Sequence, residues 1–229
     1  MDPIFIVAGF ALGSIPSGLW IGRARGKDLR ASGSRNIGAT NAFRVLGPAW
    51  GGLVFLLDTA KGFVASFAPI YVAGAAGAAA AGAGTAAAGS SGSPIPTALA
   101  AGFAAILGHM FSPLAGFKGG RGVATSLGVF LGVATLPTLL AFGVWVLLFA
   151  LSRRVSVGSI GAALLYPFLL FLAPPVEGRG WVLIVGTFVA LLVIVRHIPN
   201  IKRLLQGTEP ALIGKGAKPH AETPGGKTP

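Results

Sequence analysis

The sequence predicts an all-α integral membrane protein of about seven transmembrane helices, with its N-terminus outside, its C-terminus in the cytoplasm and a short interfacial helix after the last span. Three observations predict it. The 229 residues are 53% hydrophobic and only 10% charged, with a mean hydropathy of +0.77, where a soluble domain carries about 25% charged residues. Apolar runs near the roughly 20 residues of a spanning helix recur along the chain. With the N-terminus outside, the connections 23–46, 116–122 and 152–156 and the tail from Arg196 lie inside, and they hold all but two of the 18 Lys and Arg. That asymmetry fits the positive-inside rule and opposes the inverse topology.

Each span follows from its run. Residues 3–22 form the first, and Met1-Asp2 lacks the basic start of a secretory signal. Residues 48–74 form the second, with Asp58 and Lys61 three apart on one face, where they can pair. A structural ion pair is the favoured reading of the two, and a proton or ion path the rival. Residues 97–115 form the third. Residues 123–151 exceed one comfortable span and contain Pro137, so two helices with a turn near that proline are expected rather than one kinked helix. Residues 157–173 and 180–195 close the set. Ile201, Leu204 and Leu205 oppose Lys202, Arg203 and Gln206, which makes a short amphipathic helix. One domain, 1–214, is expected. Within it 73–96 is an external low-complexity Ala/Gly-rich connection, helical only in part because Gly and Pro interrupt it, and 215–229 is a disordered cytoplasmic tail.

The net charge of +12 is therefore mainly an orientation signal, with attraction to the anionic inner leaflet as a secondary use. Nucleic acid drops out as a partner. With no cysteine and three histidines, thiolate chemistry is excluded and a zinc or di-iron centre is not expected. "AETPGGKT" near the end resembles a nucleotide-binding loop by chance, since no helix can follow it.

Four polar segments fall on the inner side: "SGSRNIGATNAFR" (32–44), "FKGGRGVAT" (117–125), "RRVSVGS" (153–159) and "RHIPNIKRLLQGTE" (196–209). In the second, Lys118 and Arg121 bracket glycines just ahead of a helix. Glycines let backbone N–H groups approach an oxyanion, and the helix start adds its positive dipole end. That combination suits phosphate. The loop alone fits a headgroup-facing turn equally well, but three glycines in four positions favour a ligand. Among the histidines, His197 is best placed for acid–base work. His109 reads as a hydrogen-bonded structural residue at an apolar span end, and His220 falls in the tail.

In order, "GSIPSGLWIGR" (13–23), "GSRNIGATNAFRVLG" (33–47), "LLDTAKG" (56–62), "GHMFSPLAGFKGGRGVAT" (108–125) and "RHIPNIKRLLQGTEP" (196–210) resemble the motifs of the acyl-phosphate:glycerol-3-phosphate acyltransferase family of bacterial membrane enzymes. The resemblance implies seven helices and an active site on the cytoplasmic face of the bacterial cell membrane. It implies acyl transfer from acyl phosphate to the sn-1 hydroxyl of glycerol 3-phosphate, giving lysophosphatidate and phosphate, the first step of phospholipid synthesis. No metal or cofactor is implied. The partners implied are the two substrates, membrane lipid and a soluble enzyme that supplies acyl phosphate.

Matched to those motifs, Ser34, Arg44, Lys118, Ser156, His197 and Asn200 are expected on glycerol 3-phosphate, with His197, Asn200, Lys118 and Ser34 at the chemistry. Asn36, Gly38, Thr40, Asn41, Gly119, Gly120, Arg121 and Gly122 are expected on the donor phosphate, while Arg203 and Glu209 hold the tail. Against the family pattern, 73–96 is long and the proline of "HMFSP" comes one position late. No histidine is followed by Asp at the spacing of a CoA-dependent acyltransferase. The alternative, a membrane anion or phosphate transporter, predicts midplane sites in related halves, and the sequence shows no internal repeat.

Overall fold

The computed structural model of the chain describes residues 2–83, 92–174 and 177–213. The described residues are helical, without strands. Asp2 caps α1 (Pro3–Ser14) by accepting from the Ile4 N–H at 3.0 Å. Pro16 cannot continue that helix, because it lacks the N–H and its ring displaces the preceding turn. The chain breaks at Ile15–Pro16 and resumes as α2 (Ser17–Ala24), so the first span is two helices in line. The short α3 (Ala39–Leu46) leads into α4 (Pro48–Gly82), which is 35 residues long. At 1.5 Å per residue α4 reaches about 52 Å, well beyond a hydrocarbon core of about 30 Å. The second span therefore runs past the predicted residue 74, because alanine sustains a helix. Of the low-complexity connection, 84–91 lies outside the described residues, as does the tail 214–229.

Beyond it come α5 (Ile95–Met110), α6 (Val123–Val133), α7 (Thr135–Ser152), α8 (Val155–Leu172), α9 (Arg179–Arg196) and the amphipathic α10 (Ile198–Leu205). The run 123–151 is two helices as expected, but the break falls at Ala134, and Pro137 sits in the first turn of α7, where its missing N–H has no intrahelical partner to lose. Among the described residues, six helical segments are long and apolar enough to span. The expected count of seven rests on α6, whose 11 residues cover only about 16 Å.

The helices approach closely where they carry glycine. A Cβ on Gly9 or Gly13 of α1 would strike the α5 backbone at Ala101 or Ala105, and one on Gly62 or Gly128 would drive α4 and α6 apart. In lipid, where apolar surface gains little by leaving its solvent, such close approach supplies much of the packing. Gly13→Val is expected to cost at least about 2 kcal/mol of stability through overpacking. Gly74→Val, in open space on α4, should cost far less. Paired melting curves in detergent check the difference.

Candidate active site

The polar segments meet at one end of the bundle around a cavity of about 320 Å³. Its first wall is the loop before α3. Asn41 fixes that loop: Oδ1 accepts from the Ser34 N–H at 2.7 Å, and Nδ2 donates to the carbonyls of Leu29 and Ser32 at 2.9 and 3.0 Å. Gly33 must be glycine here, since its φ is +61° and a Cβ would collide with Asn41 Oδ1. Asn36 Oδ1 accepts from the Gly38 N–H at 2.8 Å, an Asx turn that sets the start of α3. Asn36, Thr40 and the first turn of α3 line the cavity.

The second wall is the start of α6, with Arg121, Gly122, Val123 and Ala124. Gly119 and Gly120 do not present their N–H groups as the sequence suggested. They donate to the carbonyls of Met110 and His109 at 3.2 and 3.1 Å, closing the C-terminus of α5. These two positions need glycine because a Cβ would run into the His109 carbonyl or ring. The N–H groups open to a ligand are those of the first turn of α6, which have no intrahelical partner. Arg121 stands beside them, and burial draws its pKa down to about 10, so it stays charged at neutral pH. Arg196 donates to the Gly120 carbonyl at 2.8 Å and braces the loop from α9.

The third wall is His197, only 1% exposed, at the junction of α9 and α10. Its Nδ1 lies 2.8 Å from the Val193 carbonyl and donates to it, which leaves the Nε2 lone pair free in the neutral ring. Burial, then the Arg121 guanidinium, lowers its pKa to about 4. At the base of the cavity Asp58 and His109 face one another, with Nδ1 3.6 Å from Oδ1. Lys61 Nζ is 2.9 Å from the same Asp58 oxygen and donates to the Ile15 carbonyl at 3.0 Å. The anticipated Asp58–Lys61 pair is thus present, and it holds the break in the first span.

Behind these walls Glu209 gathers two expected site residues and Arg203, its expected companion in holding the tail. Its Oε1 accepts from Ser156 Oγ and Asn200 Nδ2, both at 2.7 Å, and its Oε2 accepts from Arg203 Nε at 2.7 Å. Burial raises the carboxyl's pKa, but the hydrogen bonds together outweigh it and hold it below the ordinary range. Arg154 donates to the Glu209 carbonyl at 2.9 Å and Arg44 to that of Pro210 at 3.1 Å.

Of the residues marked from sequence, Ser34, Asn36, Gly38, Thr40, Asn41, Arg121, Gly122 and His197 line the cavity. Arg44, Ser156 and Asn200 are one layer out, bound to residues 209–210. Gly119 and Gly120 back the loop, and Lys118 is exposed at its rim. Sequence reasoning did not place Asp58 and His109 at the cavity or make Glu209 a hub. The signals available were the i, i+3 spacing of Asp58 and Lys61 and the presence of Asp58, His109 and Glu209 within the family-like motifs. An apolar slot of about 100 Å³, walled by α6, α7, α8 and α9, shares Phe55, Val123, Trp145 and Ser159 with the cavity.

Residues 3–207 match the family model described as glycerol-3-phosphate acyltransferase. The chain belongs to the glycerol-3-phosphate acyltransferase family. The acyltransferase so named from Geobacter sulfurreducens is 43% identical over 206 residues, covering 90% of this chain and 95% of the relative. That from Desulfotalea psychrophila is 41% identical over 209 residues, covering 91% and 97%. Two crystal structures of PlsY (YgiH), an integral membrane glycerol 3-phosphate acyltransferase, superpose on this chain. The glycerol 3-phosphate form has a TM-score of 0.75 at 36% identity, covering 92% of this chain and 94% of its own. The lysophosphatidic acid form has a TM-score of 0.72 at 35% identity, covering 91% and 93%. This acyltransferase is accordingly an integral, multi-pass membrane protein of phospholipid synthesis.

Two outcomes follow from the buried charges. Asp58→Ala strands the Lys61 ammonium and is expected to cost about 3–5 kcal/mol. Asp58→Leu with Lys61→Met should recover part of that, while the Ile15 carbonyl keeps its bond from the Ser17 N–H at 3.1 Å; denaturation in detergent compares them. His197 has a folded pKa below its unfolded value, so the unfolded chain binds its proton first as pH falls. Its contribution is fully present above about pH 6.5 and is lost as pH falls toward 4, by about 3 kcal/mol. Melting temperatures across that window should fall less steeply in His197→Gln.

Proposed function

We propose that the protein transfers an acyl group from a long-chain acyl phosphate to the sn-1 hydroxyl of glycerol 3-phosphate, at the cytoplasmic face of the bacterial inner membrane. The products are lysophosphatidate and inorganic phosphate. The observation that carries this reading is the union of a polar cavity, lined by Arg121 and two helix starts, with an apolar slot. One substrate is a small anion, and the other is an anion with a tail. The concentration of Lys and Arg in alternate connections supports the orientation. A soluble enzyme that makes acyl phosphate would deliver it to this face.

In this reading the donor phosphate sits against Arg121, Gly122 and the first turn of α6, with Asn36, Gly38 and Thr40 opposite. Asn41, Gly119 and Gly120 hold those groups in place. Glycerol 3-phosphate takes Ser34 and His197. Ser156, Asn200 and Arg44 act through the 209–210 segment, and Lys118 draws the anion in from the rim. The hydroxyl oxygen attacks the acyl carbon, the acyl–phosphate bond breaks, and phosphate leaves. Helix-start N–H groups and Arg121 stabilise the developing negative charge without metal. A base with a pKa near 4 is poorly matched to taking the hydroxyl proton at neutral pH. A phosphate monoester, with a second pKa of about 6, is better matched, so a substrate phosphate accepts the proton while His197 positions the hydroxyl.

Purified protein given acyl phosphate and glycerol 3-phosphate is expected to release phosphate and form lysophosphatidate, and to form no lysophosphatidate with acyl-CoA or acyl carrier protein as donor. No release with acyl phosphate removes the proposal. Arg121→Ala should reduce kcat/KM at least about a hundredfold, as loss of a charge-assisted transition-state contact does, and Lys118→Ala by far less. Near-complete loss of turnover in His197→Ala with intact glycerol 3-phosphate binding would make His197 the base instead.

A further inference from the structure

The apolar slot has a built end. Along α6, α7 and α8 it starts at Val123, Trp145 and Ser159, which it shares with the polar cavity, and stops at Phe130, Thr138 and Tyr166. On each helix those two positions are two turns apart, about 10 Å. At the far end Thr138 Oγ1 donates to the Ala134 carbonyl at 2.7 Å, the carbonyl at the break between α6 and α7. Its only proton is then spent, so Tyr166 Oη, 3.0 Å away, donates to it. The two side chains are 3% and 7% exposed. The Phe130 ring lies 5.1 Å from the Tyr166 ring at 60°. Both rings rest against Gly186, where a Cβ would stand 3.4 Å from Tyr166 and 3.6 Å from Phe130. Between the entrance and this floor the walls are narrow side chains such as Ala141, Ala163 and Ala190.

We infer that the floor formed by Tyr166, Thr138 and Phe130 measures the acyl chain of the donor and sets its length preference. The inference rests on the proposed donor, whose tail would occupy the slot. An extended chain advances about 1.2 Å per bond, so about eight or nine carbons reach the floor. Each methylene short of it forfeits burial, about fourfold in kcat/KM. Phe142 and Ala162 are only half-buried along the slot, so longer chains turn out toward lipid and gain nothing further. The length profile therefore rises and then breaks to a plateau at the depth of the floor.

The test measures kcat/KM in the intact protein for acyl phosphates from shorter than the slot to twice its length, at saturating glycerol 3-phosphate. Tyr166→Ala lowers the floor and should move the break by about three or four carbons to longer chains. Ala162→Phe fills the slot one turn above it and should move the break to shorter chains. The KM for glycerol 3-phosphate should stay unchanged in both. A break that stays put, or a uniform loss at every length, overturns the ruler while leaving the donor standing. No product at any length from the unsubstituted protein overturns the donor and the ruler together. Should Tyr166→Ala fail to fold, the Ala162→Phe profile decides by itself.

Discussion

The Lys61 ammonium is the point on which the arrangement turns. A charge buried in the membrane core is tolerated only when paired and hydrogen-bonded, and Lys61 meets both demands at one place. It neutralises Asp58 at 2.9 Å and caps the Ile15 carbonyl at 3.0 Å. That carbonyl is exposed only because Pro16 breaks the first span. Ser112 uses the neighbouring Ser14 carbonyl in the same way, donating at 2.5 Å. Two polar side chains thereby join α1, α4 and the end of α5, and the proline break becomes a joint rather than a defect.

From that joint the site is built outward. Asp58 faces His109, and the last carbonyls of α5 receive the N–H groups of Gly119 and Gly120. That pairing turns the chain so that Arg121 and the open N-terminus of α6 face the cavity. On the opposite side Glu209 binds α8 and α10 through Ser156, Asn200 and Arg203, and its segment takes the Arg44 and Arg154 guanidiniums through backbone carbonyls. One carboxylate and the two carbonyls beside it thus hold Arg203, Arg154, Arg44, Asn200 and Ser156 behind the cavity.

The polar cavity and the apolar slot share four residues, so a molecule with a charged head and a hydrocarbon tail has one continuous place to lie. The helix starts supply dipoles that are already oriented, and burial lowers the effective dielectric around Arg121 and His197. An activated acyl donor asks for little beyond this: alignment, countercharge and a proton acceptor of suitable strength. On the proposed reading, a His197 held neutral, with its Nδ1 hydrogen committed to Val193, orients the hydroxyl rather than taking its proton.

The sequence by itself determined the helical membrane class, the polar segments, their order and the family, because span length, charge asymmetry and motif order are local properties of the chain. The roles of individual residues within a motif depended on contacts across it. Gly119 and Gly120 read as phosphate donors until their N–H groups met the α5 carbonyls. Ser156 and Asn200 read as ligand contacts, and packing bonds both of them to Glu209 as well. The break between α6 and α7 fell at Ala134 because proline is tolerated in a first helical turn. His109 could not be assigned to the cavity, since nothing near it in the chain marks Asp58, on the neighbouring helix α4 but 51 residues away in sequence. Tertiary structure alone decided these pairings: a buried donor or acceptor takes whatever partner packing brings within about 3 Å, and that partner is seldom its neighbour in the chain.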